Sequence, residues 1–101
     1  METQAAPAGS AARQFKALGH PVRLGIAVRL AREPETCACD FADIFEVSQP
    51  TVSQHLRVLR EAGPVRTVRR GTQICYSLND AAISQVRALL ETLDRKAPQG
   101  P

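Results

Sequence analysis

Between Asp40 and Pro64 the chain carries two apolar runs at helical spacing, split by a short gap. That pairing constrains the fold more than any other feature. Phe41, Ile44 and Phe45 recur at i, i+3 and i+4 after Asp40, a residue suited to a helix N-cap. Glu46-Val47-Ser48 follows, the length of a helix-turn-helix corner. Ser48 suits the cap of the next helix, and Pro50 falls in its tolerant first turn. Val52, Leu56 and Leu59 then face inward at i, i+4 and i+7. Gly63 followed by Pro64 is a strong stop.

The flanking segments complete a pattern. Residues 13–18 form a short first helix by this reading. Pro21 suits the first turn of a second, in which Val22, Ile26 and Leu30 recur every four residues. Leu24, Val28 and Ala31 are expected to widen that stripe into a broad buried face, and Pro34 ends the helix. Gly25 weakens it by about 1 kcal/mol relative to alanine unless a neighbour packs close. After the stop, Ile74, Tyr76 and Leu78 alternate as a half-buried strand should. Arg70-Gly71 supplies the turn between strands at 65–69 and 72–78. Asn79 or Asp80 caps a last helix with apolar Ile83, Val86, Leu89, Leu90 and Leu93. That stripe is either core packing or the seam of a dimer. The fold class expected is mainly α with a small β-hairpin, a winged helix-turn-helix over residues 11–96. Residues 1–10 are expected to be a disordered arm and 97–101 a disordered tail.

Charge adds a partner. The net charge is only +3, but Arg57, Arg60, Arg66, Arg69 and Arg70 fall within fourteen residues. Clustering of that kind is the footprint of nucleic-acid binding, although a solvated arginine surface has the same composition. With Val52, Leu56 and Leu59 turned inward, Gln49, Thr51, Ser53, Gln54 and Arg57 occupy the outer side of their helix. There they can reach base edges and phosphates in a major groove. Arg69 and Arg70 sit at the wing tip, placed for phosphates or a minor groove. No run reaches the ~18 apolar residues of a membrane span, and no export signal is evident. The expected compartment is the cytoplasm, where the three cysteines stay reduced. An enzyme is not expected: there is no Ser/His/Asp set, glycine-rich phosphate loop or paired carboxylate, and no base positioned for a thiol nucleophile.

Phe15-Lys16-Ala17-Leu18-Gly19-His20-Pro21-Val22-Arg23-Leu24, Cys37-Ala38-Cys39-Asp40, the run from Ser48 to Leu56, Leu59-Arg60-Glu61-Ala62-Gly63, and Gly71-Thr72 leading to Tyr76-Ser77-Leu78 stand in this order. Together they resemble the ArsR/SmtB family of metal-sensing repressors over roughly residues 13–95. The resemblance implies a cytoplasmic homodimer, joined through its first and last helices, that represses an operon and leaves DNA on binding an inducer. It adds Ser48 and His55 to the DNA-facing set. A dimer would read a near-palindromic duplex with half-sites about 34 Å apart. Three residues depart from the family pattern. His20 stands where Asp or Asn is usual, a poorer cap. Pro64 replaces a large apolar residue, which forfeits a core contact and a strand N–H. No histidine follows Asp80, so the family's C-terminal zinc site is not expected.

Cys37-Ala38-Cys39-Asp40 resembles the arsenic- and cadmium-type site at the start of the third helix. A helix N-terminus is expected to lower thiol pKa values, and thiolates bind soft ions. If the approach to that helix is extended, Cys37 and Cys39 point to one side. The third cysteine of arsenical sensors is replaced here by Ala42, and residues 1–20 hold no cysteine. Cys75, on the second wing strand, is either the third sulfur or a buried strand residue, because a short extended segment before a helix-turn-helix often pairs with that strand. Two or three sulfurs suit As(III) or Sb(III) better than Cd(II), Pb(II) or Zn(II); the alternative triggers are a divalent metal (Cd, Pb, Zn or Ni) or thiol oxidation.

Overall fold

Among residues 2–94, which the computed structural model describes, the elements run α1 (Glu2–Leu18), α2 (Pro21–Arg32), β1 (Thr36–Cys37), α3 (Ala38–Phe45), α4 (Gln49–Ala62), β2 (Val65–Arg70), β3 (Gln73–Leu78) and α5 (Asp80–Leu93). The expected tail at 97–101 lies outside the described residues. The strands form one antiparallel sheet in the order β1-β3-β2. This is the winged helix-turn-helix that the sequence predicts, with one strand more than the hairpin.

Local chemistry explains the boundaries. Ser48 Oγ accepts the Thr51 N–H at 3.2 Å, so one orphan donor of α4 is satisfied by the residue before it. Asn79 caps α5 in the same way, accepting from the Ala82 N–H. The turn between α3 and α4 is tight because Glu46 takes a left-handed backbone, φ 55°, and Val47 N–H returns to Ala42 O at 3.2 Å. Gly63 ends α4 at φ 119°, a region that penalises any side chain.

Phe41, Ile26, Leu30, Val52, Leu56 and Leu59 form a fully buried centre. Each contributes about 1.5–3 kcal/mol by leaving water. Phe41 brings α3 onto α4, and Ile26 and Leu30 bring α2 onto both. A Cβ at Gly25 would lie 2.7 Å from the Phe45 ring, so the glycine allows α2 and α3 to approach.

Several expectations need correction. α1 begins at Glu2, so the segment expected to be a disordered arm at 1–10 is helical from its second residue. Ala5, Ala6, Ala8, Ala11 and Ala12 are the strongest helix formers, and they outweigh the Pro and Gly beside them. Leu24 and Val28 are 52% and 46% exposed rather than buried, and Ala31 is exposed as well. They lie on the side of α2 turned away from Ile26 and Leu30. The hairpin turn is Gly71-Thr72, with Gly71 at φ 63° and Arg70 still paired to Gln73. Pro64 is itself fully buried, and β2 starts one residue later. Its missing N–H therefore falls outside the ladder, and its carbonyl accepts from Asn79 N–H at 2.8 Å. The wing pairs without a bulge from Val65↔Leu78 to Arg70↔Gln73.

Candidate nucleic-acid interface and thiol cluster

The outer face of α4 is built as the sequence predicts. Val52, Leu56 and Leu59 anchor one side, which leaves Gln49, Thr51, Ser53, Gln54 and Arg57 exposed. Pro50, Thr51, Ser53, Gln54 and Arg57 border a shallow open depression of about 470 Å³. Arg57 Nε bonds Glu61 Oε2 at 3.1 Å, with both side chains largely in water. Such an i,i+4 pair is worth only about 0.3–0.5 kcal/mol, so it yields readily to a phosphate.

Three of the expected DNA-facing residues are engaged elsewhere. Ser48 is committed to its cap and to a 2.8 Å hydrogen bond with Thr51 Oγ1. His55 is half-buried, with its ring 4.6 Å from that of His20 and its Nδ1 3.4 Å from Arg23 Nη1. It turns toward the start of α2 because position 55 lies beside the buried Leu56 and Leu59 face. Arg70 folds back onto Glu35 in a bidentate pair at 2.9 and 2.5 Å with its side chain still largely in water, and Arg69 beside it is exposed as well. Sequence spacing holds no signal for this pair, whose partners are 35 positions apart. His20 caps α2 after all, its Nδ1 accepting Val22 N–H at 3.1 Å.

Burial, with help from His20 and Arg23, lowers the pKa of His55 below its ordinary 6.5. The unfolded chain therefore takes up a proton at a higher pH than the folded one. Stability should fall as pH drops below about 6.5, until the folded-state value is passed. Urea midpoints at pH 7.5 and 5.5 check this: His55→Gln should lose less stability than wild type over that interval, and an equal loss in both would refute it.

The thiols are arranged differently from the expectation. β1 pairs with β3 in the register Thr36↔Tyr76 and Cys37↔Cys75, as an extended segment before the corner should. The Cys37 and Cys75 sulfurs lie 2.9 Å apart. Cys37 also donates to Gln73 Oε1 at 3.6 Å, a neighbour that spacing alone does not reveal but hairpin register does. Cys39 forms no hydrogen bond with either sulfur among the described residues, although it borders the same cavity as Cys37. α3 starts at Ala38, with Cys37 rather than Asp40 at the cap, so Cys39 already stands on a helix and strand alternation no longer applies. It is exposed, its Sγ 4.0 Å from Asp40 Oδ1. The Cys37 thiol is not acidified by the helix start. Its hydrogen bond to Cys75, its burial and the nearby Cys75, Cys39 and Asp40 push it up from 9.0 to about 11. Cys37, Cys39, Ile74, Tyr76 and Gln49 all border one cavity of about 270 Å³. Gln49 opens the recognition helix, so this cavity joins the thiols to α4. Among the described residues no three His, Cys, Asp or Glu side chains are gathered to hold a metal ion. The Cys37 and Cys75 sulfurs are a partial donor set for a thiophilic centre, and Cys39 stands on a different element from them.

The architecture, with an exposed polar helix beside a β-hairpin, defines a winged helix-turn-helix DNA-binding protein. Comparison with known proteins takes the assignment further: the chain belongs to the ArsR family of bacterial regulatory proteins. The profile of that family, described as bacterial regulatory protein, arsR family, matches residues 20–67. The chain is 39% identical over 72 residues to an arsenical resistance operon repressor of Bacillus subtilis, an alignment covering 71% of this chain and 69% of that one. It is 41% identical over 75 residues to a cadmium resistance transcriptional regulatory protein CadC homolog of Staphylococcus aureus, covering 74% of this chain and 62% of the relative's length. The homodimeric winged helix-turn-helix domain of a possible ArsR-family regulator from Mycobacterium bovis superimposes with a TM-score of 0.75 at 26% identity, over 96% of this chain and 90% of that one. Among the described residues no helix is long and apolar enough to cross a membrane.

Proposed function

We propose that this chain is a cytoplasmic homodimeric repressor that releases its operator when a thiophilic metalloid, As(III) or Sb(III), engages Cys37 and Cys75. The observation that carries the proposal is the 2.9 Å approach of these two sulfurs on adjacent strands, beside the cavity that Gln49 shares. Two thiols so placed exchange for two hydroxyls of As(OH)₃, forming two As–S bonds and two waters. Exchange of the third hydroxyl draws Cys39 across the same cavity. That movement displaces the first turn of α3 and, through the short corner, the start of α4. Relatives named for arsenical and for cadmium resistance both support a thiophilic inducer. The arsenic choice rests on the small sulfur set, because divalent ions want four ligands or harder ones.

The dimer reads a near-palindrome with Gln49, Thr51, Ser53, Gln54, Arg57 and Arg69. Leu90 and Leu93 on α5 are 50% and 65% exposed, an apolar surface that the protomer leaves uncovered and that a partner's α1 and α5 would bury.

The same sulfur separation favours a second reading, in which one equivalent of peroxide takes the two thiols to a disulfide and yields two waters. Fluorescence anisotropy on a duplex taken from upstream of the chain's own reading frame separates the two. As(III) at low equivalents should free the labelled duplex. Release by peroxide alone would establish the oxidative reading, and release by Cd(II), Zn(II), Ni(II) or Pb(II) but never As(III) would overturn the inducer. Absence of binding to any duplex would end the repressor reading altogether.

A further inference from the structure

A basic groove of about 400 Å³ lies between α1, α2 and α4, bordered by Arg13, Lys16, Arg23, Val58 and Glu61. Among the described residues its one carboxylate, Glu61, is already held by Arg57 at 3.1 Å. Arg23 is fixed in place: its Nε donates to Ala17 O at 2.5 Å, and Nη1 lies against His55. Arg13 and Lys16 are one helical turn apart on the exposed side of α1, next to the buried Gln14 and Ala17.

The groove continues the reading face. Pro50, Gln54, Arg57, Val58 and Glu61 follow one another at i, i+4, i+7, i+8 and i+11, a single side of α4. Pro50 and Gln54 border the outer depression, and Val58 and Glu61 border the groove. From Gln54 to Glu61 the helix advances about 10 Å, close to the ~12 Å width of a major groove. A recognition helix that enters the groove by its N-terminal half therefore carries its C-terminal half past the wall, where the phosphodiester strand runs.

We infer that Arg13, Lys16 and Arg23 form a second, sequence-independent DNA contact that clamps the phosphodiester strand flanking the base-reading half of α4. The inference rests on the repressor reading above and extends its footprint to α1 and α2, outside the helix-turn-helix and wing. Contacts of this class set register and salt dependence without reading bases.

The test uses the full chain and two labelled duplexes, one from upstream of its own reading frame and one of scrambled sequence, titrated over a range of salt. The double variant Arg13→Gln, Lys16→Gln should bind both duplexes on the order of tenfold more weakly near 0.1 M salt. Its plot of log K against log salt should be shallower by about 1.8, two phosphates at ~0.9 each. Arg87→Gln, an exposed arginine on α5, should change neither quantity. Circular dichroism melting should show both variants folded, and sedimentation should show both with the wild-type oligomeric state. An unchanged slope in the double variant, with wild-type binding intact and Arg57→Ala impaired, overturns the clamp and leaves the repressor reading standing. A double variant that becomes monomeric would assign the groove to an interface between copies and also overturn it. Wild-type protein that binds neither duplex defeats the repressor reading and the clamp together.

Discussion

Cys75→Ser should hold the operator as tightly as wild type and require more than 100-fold more arsenite to leave it. The side chain is buried and small, so a hydroxyl in its place costs the fold little beside what it removes from the trigger. To move an operator complex from mostly bound to mostly free, an inducer must favour the released form by about 5.5 kcal/mol. With Cys75 gone, the strand pair offers one sulfur, and the remaining thiol at Cys39 stands on another element. Cys37→Ser should behave alike. Cys39→Ser should separate two steps that the other variants merge: the Cys37–Cys75 pair still captures arsenite, but nothing draws on α3, so capture proceeds without release. Anisotropy reports the release, and protection of thiols from alkylation reports the capture. A Cys75→Ser protein that responds at the wild-type arsenite concentration would return Cys75 to a packing role and place the trigger on Cys37 and Cys39.

Phe41→Ala should lower the unfolding free energy by about 3–5 kcal/mol, the usual cost of removing a fully buried aromatic side chain. Small domains have only about 5–15 kcal/mol to lose. The ring is the contact through which α3 supports α4, so the loss falls on the reading head itself. Urea unfolding followed by circular dichroism measures it. Leu90→Ala supplies the contrast: its side chain is half exposed in the protomer, so the effect should appear in the dimer dissociation constant and hardly in protomer packing. A Phe41→Ala midpoint within error of wild type would mean that α3 is not seated as described.

What could be read from the chain alone follows from the range of the interactions involved. Ser48 before Gln49-Pro50, Gly63 before Pro64 and the alternation of Ile74, Tyr76 and Leu78 are local signals, and each places its element to within a residue or two. The approach of Cys75 to Cys37 was legible as a possibility, because an extended segment before the corner has a free strand edge to join. The direction of Cys39 was not, since it turns on whether the helix begins at Ala38 or two residues later. Asp40 is the better capping residue by type, yet strand pairing holds Cys37 extended and the helix starts directly after it. The Arg70–Glu35 pair and the His20–His55 contact join residues more than thirty positions apart, each pairing an element with a residue outside the helices and strands, where no periodicity reports them. α2 misled for a related reason. Its apolar residues cover more of its circumference than the core can use, so Leu24 and Val28 are left outside.

The Cys37–Cys75 contact closes a span of 38 positions, and that span contains α3, α4 and β2. Any covalent bridge there, through sulfur or through a shared metalloid atom, turns the segment that reads DNA into a ring. Closing a loop of that length removes about 4 kcal/mol of unfolded-chain entropy on the chain-entropy account. Off DNA, the bridged chain would then populate the unfolded state about a thousandfold less than the unbridged chain. Proteases that work through the open chain would clear the unbridged, DNA-free protein first. After a brief exposure, the protein carrying the signal would outlive the protein awaiting it, so derepression would persist in the lifetime of the molecule after the stimulus has gone.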